Sequence, residues 1–179
     1  NGNENKKISA PEDVLKNMCV IDIPGCNSFG VEIIDTIGSI GCDLTIQSNL
    51  ISLNSMDVPE TILVPLFADI NEKESIVIEE VLSLLQRLDL KAKKNNVRFR
   101  VGFMFSNVEG PPVDSINGGI IPESVGRSMF TGGAVWDLLR SAAIELDPQR
   151  ISLLCMDIDL ELPAVEMASI VLVELNNIS

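Results

Sequence analysis

An α/β fold with a mainly parallel sheet, covered by helices on both faces, is the architecture the sequence predicts. Three observations carry it. Strand-length apolar runs alternate along the chain with segments whose apolar residues repeat at helical spacing. Residues 129–158 hold one complete unit of this kind: an amphipathic helix, a stop at Asp147-Pro148, and a mostly apolar run from Ile151 to Ile158. A second unit opens the chain, where the apolar run Met18 to Ile23 leads through Pro24-Gly25 into a helical repeat from Gly30 to Ile37. Alternation of this type requires right-handed crossovers and therefore parallel strands.

Residues 1–16 are polar and charged and read as a linker or extension, so the folded unit is expected over residues 17–179 as a single domain. After the first strand, Ser28 is placed to cap the first helix and Gly41 to stop it. Asp43 to Gln47 is the second strand and Thr61 to Phe67 the third. Pro65 within it cannot donate a ladder hydrogen bond, which marks a strand end, a bulge or an exposed edge. Asn71-Glu72-Lys73-Glu74 resembles a capping box. The helix behind it turns Val77, Val81, Leu84, Leu85 and Leu88 inward and Glu79, Glu80, Ser83, Gln86 and Arg87 outward. Lys91, Lys93 and Lys94 then complement the negative end of its dipole.

Val97 to Phe105 is the fourth strand. Residues 111–128, rich in proline and glycine, are expected to form an irregular loop near a sheet edge. The helix from Thr131 to Leu146 follows, packing through Phe130, Ala134, Val135, Leu138, Leu139, Ala142, Ala143 and Leu146. Asp137, Arg140, Ser141 and Glu145 fall on its other side. Gly132 and Gly133 at its front carry no side chain and let another backbone approach closely. The last strand leads to Pro163, which suits the first turn of a final helix packing through Ala164, Met167, Ala168, Val171, Leu172 and Leu175.

Composition narrows the chemistry. The 179 residues, 46% of them hydrophobic, suffice for one domain with a real core. No apolar run reaches the roughly 18 residues of a membrane span, and the polar start lacks the apolar stretch of a secretion signal, which together predict a soluble, cytoplasmic chain. A net charge of -13 argues against nucleic acid and acidic membranes as partners. The four cysteines, Cys19, Cys26, Cys42 and Cys155, show no metal-binding spacing, so no metal is expected. Histidine and tyrosine are absent, which removes imidazole acid/base catalysis, Ser-His-Asp chemistry and tyrosine proton transfer from the chain's own repertoire.

The strand–turn–helix opening is that of a Rossmann dinucleotide-binding fold, whose fingerprint is G-x-G-x-x-G. Here the run is Gly25-Cys26-Asn27-Ser28-Phe29-Gly30, and Asn27 stands where the middle glycine lets the backbone reach a pyrophosphate. The second strand also ends without an acid for a ribose or an arginine for a 2′-phosphate. This degenerate loop, Gly25, Asn27 and Gly30, points to the fold without the cofactor.

In this order of elements the chain resembles the short-chain dehydrogenase/reductase family. The family's active-site serine, in a pattern like S-S-x-x-G, corresponds to Asn107 within Ser106-Asn107-Val108-Glu109-Gly110. Its Tyr-x-x-x-Lys pair corresponds to Ser128 and Gly132. More narrowly, the chain is similar to the truncated, non-catalytic structural subdomain of ketoreductase domains in modular polyketide synthases and type I fatty acid synthases. The local matches are Val64-Pro65-Leu66-Phe67-Ala68-Asp69, Leu84-Leu85-Gln86-Arg87-Leu88, and the stretch from Trp136 to Asp159 ending in Asp157-Ile158-Asp159. Arg140-Ser141 and Pro65 depart from the family's pattern.

The resemblance implies a truncated Rossmann-like, doubly wound sheet. It also implies a chain without catalytic residues or cofactor of its own, whose partner is the catalytic subdomain of the same polypeptide. That partner would hold NADPH and reduce a β-ketoacyl group presented by an acyl carrier protein, which meets this chain only indirectly. Gly132, Gly133, Trp136 and Arg140 are the candidate interface residues. Two other readings stand beside this one: a nucleotide-binding enzyme using carboxylates at strand ends, such as Asp22, Asp69 or Asp157, and a free-standing pseudo-reductase scaffold.

Overall fold

The computed structural model describes residues 17–23, 30–47, 59–67, 74–106, 123–159 and 161–178. The elements alternate as β1 (Met18–Ile21), α1 (Gly30–Ser39), β2 (Leu44–Gln47), β3 (Thr61–Pro65), α2 (Glu74–Asn95), β4 (Phe99–Phe105), α3 (Glu123–Glu145), β5 (Ile151–Asp157) and α4 (Ala164–Asn177). The strands form one sheet in the order β2-β1-β3-β4-β5. Every pairing in it is parallel. The chain therefore steps outward from β1 to β2 and then returns across β1 to continue on the other side. That reversal is the defining feature of a Rossmann-like, doubly wound sheet and leaves a crevice between the carboxyl ends of β1 and β3.

Side chains of a strand alternate between faces, so a sheet covered on both sides must be apolar at every position. β1 and β3 are buried throughout. Cys19, Ile21, Ile62, Val64, Val101, Phe103 and Phe105 pack under α2 and α3, whereas Met18, Val20, Leu63, Met104 and Met156 pack under α1 and α4. On α2 the inward set is Val77, Val81, Leu84, Leu85, Leu88 and Ala92. Glu79 and Gln86 are exposed, while Glu80, Ser83 and Arg87 are half-buried on the flanks. Met167, Ala168, Val171, Leu172 and Leu175 form the buried face of α4, with Ala164 half-buried.

The helix ends follow local chemistry. Gly41 holds a φ of 102°, in the left-handed region, and donates its N–H to the Gly38 carbonyl at 3.1 Å, closing α1. Asn96, with φ of 52°, is likewise left-handed directly after α2, whose last turn carries Lys93 and Lys94. At the end of α3, Asp147 accepts the Gln149 N–H on Oδ1 at 3.0 Å and pairs with Arg150 at 3.3 Å, which turns the chain into β5. Pro163 precedes α4 without a side-chain cap, and its carbonyl accepts the Glu166 N–H at 2.8 Å.

Two expectations are corrected. α3 starts at Glu123 rather than Thr131, so residues 123–128 are helix and not loop. Glu123 in the first turn, directly after Pro122, provides a favourable start, and the cost of about 1 kcal/mol for Gly126 inside a helix is too small to break it. Gly132 and Gly133 consequently lie within the helix and not at its front. The packing face of α3 is narrower than its periodicity predicts. Val135 and Leu139 are buried and Leu138, Ala142 and Leu146 half-buried, but Ala134 and Ala143 are exposed. Pro65, expected to mark a strand end, a bulge or an exposed edge, marks the end of a central strand. It is the last residue of β3, paired with Met104. Leu66 donates to Met104 and even-numbered residues of β3 face β4, so the missing N–H of Pro65 would have faced β1, beyond the last β1–β3 pair, Val20 and Leu63. The capping-box residues 71–73, Ser28, and residues 111–122 lie outside the described residues.

Gly102, in the middle of β4, lies directly under α4. A Cβ there would stand 2.6 Å from Leu175 Cδ2 and 3.0 Å from Met156 Cε, both on buried side chains. Gly102→Ala is expected to destabilise the fold by about 1–3 kcal/mol through overpacking. Adding Leu175→Ala to it should cost less than the two single changes together, as a double-mutant cycle by urea unfolding would show.

Candidate docking surface

Two places on this fold can carry function: the carboxyl edge of the sheet, where the crevice lies, and the outer end, where β5 and α3 stand. At the crevice, Asp22 follows β1, its N–H held by the Gln47 carbonyl at 2.8 Å. Its Oδ1 is buried without a hydrogen-bond partner among the described residues. Gly30 is the first residue of α1, whose positive end faces the same edge, whereas Gly25 and Asn27 lie outside the described residues. Asn107 and Asp69 also lie outside them. Asp157 is the exposed last residue of β5, two strands from the crevice. The structure therefore sets Asp22 at the crevice and Asp157 away from it. Ser128 and Gly132 are one helical turn apart on α3.

At the outer end, α3 crosses behind β4 and β5. Gly132, Trp136 and Arg140 are spaced four residues apart, so they form one line along the helix, with Gly133 beside it. Val135 and Leu139 point into the core, and this line runs along their flank. Arg140 is exposed, and α3 itself packs against β5. Trp136 contributes only part of its surface to this line. Its indole is half-buried and meets Phe105 edge-on, with centroids 5.3 Å apart at 63°. Of the interface candidates it is the one already engaged inside the chain.

The strand beneath the flank is correspondingly open. β5 closes one end of the sheet, and no described residue pairs with its outer edge. Ser152 to Cys155 are only half-buried, unlike the fully buried β3. Near the end of α3, Ile144 is 86% exposed. Ile144 and Ala143 extend the exposed surface past Arg140, and sequence periodicity missed both because it assigned Ala143 to the core and left Ile144 unassigned.

Burial pushes the thiols of Cys19 and Cys155 up to about 11, Arg140 offsetting only part of the effect at Cys155, and it raises that of Cys42 as well, with Asp43 adding to the rise. All three are free, and they act as small apolar residues in the two cores. No group of three or more metal-ligating side chains occurs among the described residues. No helix among them is long and apolar enough to cross a membrane. Compared with known proteins, the chain matches no protein family and none of the curated proteins.

The raised thiols have a measurable consequence. A thiol whose folded pKa exceeds its unfolded value stabilises the fold below the unfolded value, and that stability is lost as pH rises through the folded one. Stability should thus fall between about pH 9 and pH 11, less so in a Cys19→Ala/Cys155→Ala variant corrected for its own baseline. At pH 8, alkylation followed by mass spectrometry should leave both thiols unmodified until denaturant is added.

Proposed function

We propose that this chain is the non-catalytic structural subdomain of an NADPH-dependent β-ketoacyl reductase in a type I polyketide or fatty acid synthase, working in the cytoplasm. Its role is to pack against the catalytic subdomain of the same polypeptide and hold it in place. The catalytic half binds NADPH and receives the β-ketoacyl group from an acyl carrier protein, so carrier and cofactor act on this chain only through that neighbour. The observation that carries the reading is the outer flank of α3. Gly132, Trp136 and Arg140 stand in line beside an open edge strand, in a chain with neither histidine nor tyrosine for acid/base work. Glycine permits close helix approach, and tryptophan and arginine are the side chains that most often anchor protein interfaces.

A second reading is favoured by Asp22. A carboxylate oxygen buried without a partner among the described residues, at the crevice of a doubly wound sheet, suits a nucleotide-binding module. NADPH titration separates the two. The structural reading expects no binding to this chain alone, and both binding and ketoreductase activity once the polypeptide is extended by the segment that follows it. Tight binding to the chain alone would refute it and return attention to Asp22 and Gly30.

Docking along α3 makes a further prediction. Arg140 is exposed, so Arg140→Glu should shift the melting temperature of this chain by no more than about 2 °C. In the extended polypeptide the same change should lower ketoreductase activity and co-elution of the two halves after limited proteolysis.

A further inference from the structure

The chain carries twice as many acidic as basic side chains, yet its basic residues are not spread evenly. Six of the thirteen fall between Arg87 and Arg100, where Asp89 is the one acid. The fold divides this group. Lys93 and Lys94 end α2 on one face of the sheet, Lys93 paired with Asp89. Arg98 and Arg100 lie on the other face, at the amino edge of β4.

Their placement follows from the register. Phe99 pairs with Ile151 and Arg100 with Ser152, so Arg98 comes level with Arg150 on the neighbouring strand. Strands stand about 4.8 Å apart and alternate residues about 7 Å apart, which sets three guanidinium-bearing residues within one small area. Alternation places Arg98, Arg100 and Ser152 on the face covered by α4, the face of Gly102, Met104 and Met156. Arg98 is exposed, and its Nη2 donates to Ser152 Oγ at 3.2 Å. Arg100 is half-buried. Arg150 pairs with Asp147, but neither Arg98 nor Arg100 has an acidic partner among the described residues. Glu60, the nearest acid along β3, alternates to the opposite face, because Thr61 is the residue level with Arg100.

Part of this charge has a structural use. Leu175 packs over Gly102, so the last turn of α4, which has no basic side chain of its own, ends above Arg100. A helix carboxyl end offers only about half a negative charge, which cannot balance two unpaired guanidiniums. The remaining positive potential stands at an exposed sheet edge, in groups whose planar donor forks match carboxylates two hydrogen bonds at a time.

We propose that Arg98 and Arg100, with Arg150 beside them, form a docking point for a short acidic segment of a partner polypeptide. The size of the cluster selects the partner. It spans two strands, enough for two or three carboxylates, whereas a nucleic acid backbone would run on past it over the acidic remainder of the chain. This surface lies at the amino edge of β4 and β5 and does not depend on the reading given for the flank of α3.

Fluorescence anisotropy of a labelled hexaglutamate peptide, titrated with the whole chain at low and at physiological salt, tests it. Saturable binding that weakens with salt is expected, reduced about tenfold or more in Arg98→Glu/Arg100→Glu, the scale set by losing charge-assisted hydrogen bonds. Lys93→Glu/Lys94→Glu changes the net charge equally on the other face and should leave binding within about twofold. Trp136 emission and circular dichroism check that each variant is folded. If the charge reversal unfolds the chain, Arg98→Gln/Arg100→Gln gives the same reading. Absence of saturable binding at low salt would overturn the proposal. So would an equal loss in both double variants, or tighter binding of a short single-stranded oligonucleotide than of the peptide.

Discussion

The two-sided burial of β3 and β4 is the constraint on which the rest of this molecule depends. Each side chain of β3 from Thr61 to Pro65 is removed from water, and in β4 only Arg100 is not. Strands in that position offer no solvent to an unpaired amide, so their backbone groups must be satisfied by neighbouring strands and their side chains by helices on both faces. β1 and β5 supply those neighbours, and α1, α4, α2 and α3 supply the cover. Gly102 marks how tight the arrangement becomes: α4 lies so near β4 at that point that Leu175 occupies the space where a side chain would begin.

Moving outward from that centre, burial relaxes in a way that organises what the surface can do. Among the described residues β5 has a neighbouring strand on one side only, and its middle residues keep partial contact with water. The flank of α3 beside it shows the same incompleteness, with Arg140 and Ile144 facing outward while Val135 and Leu139 are buried. At the amino edge of the same two strands the register collects Arg98, Arg100 and Arg150. The outer end of the sheet thus combines a strand edge that no described residue pairs with, exposed apolar surface and concentrated positive charge, all in an otherwise acidic chain. The crevice end differs in kind. Among the described residues it holds Asp22, with a buried oxygen that no described group satisfies.

The order of elements was legible from residue pattern because each helix and strand in a doubly wound fold shows its period directly. Val77, Val81, Leu84, Leu85 and Leu88 announce a helix, and Ile62, Leu63 and Val64 a strand buried on both sides. Turn chemistry was equally plain at Gly41 and at Asp147-Pro148, where φ above zero and the stiffness before proline act within a few residues. The start of α3 was not legible. Proline and glycine near residue 122 look like loop residues in any local window, and a helix of 23 residues tolerates three glycines that a short one would not.

By itself the sequence determined fold class, helix and strand order, and the absence of histidine and tyrosine, since each is a property of residue identity or of spacing within one element. Tertiary structure alone decided that Pro65 ends a central strand, that Trp136 turns toward Phe105, that Asp22 keeps an unpartnered oxygen, and that Arg98 and Arg150 become neighbours. The physical reason is common to all four. Each depends on which strand lies beside which, and that order is set by how helices cover both faces of the sheet, not by any pattern within a single stretch of chain.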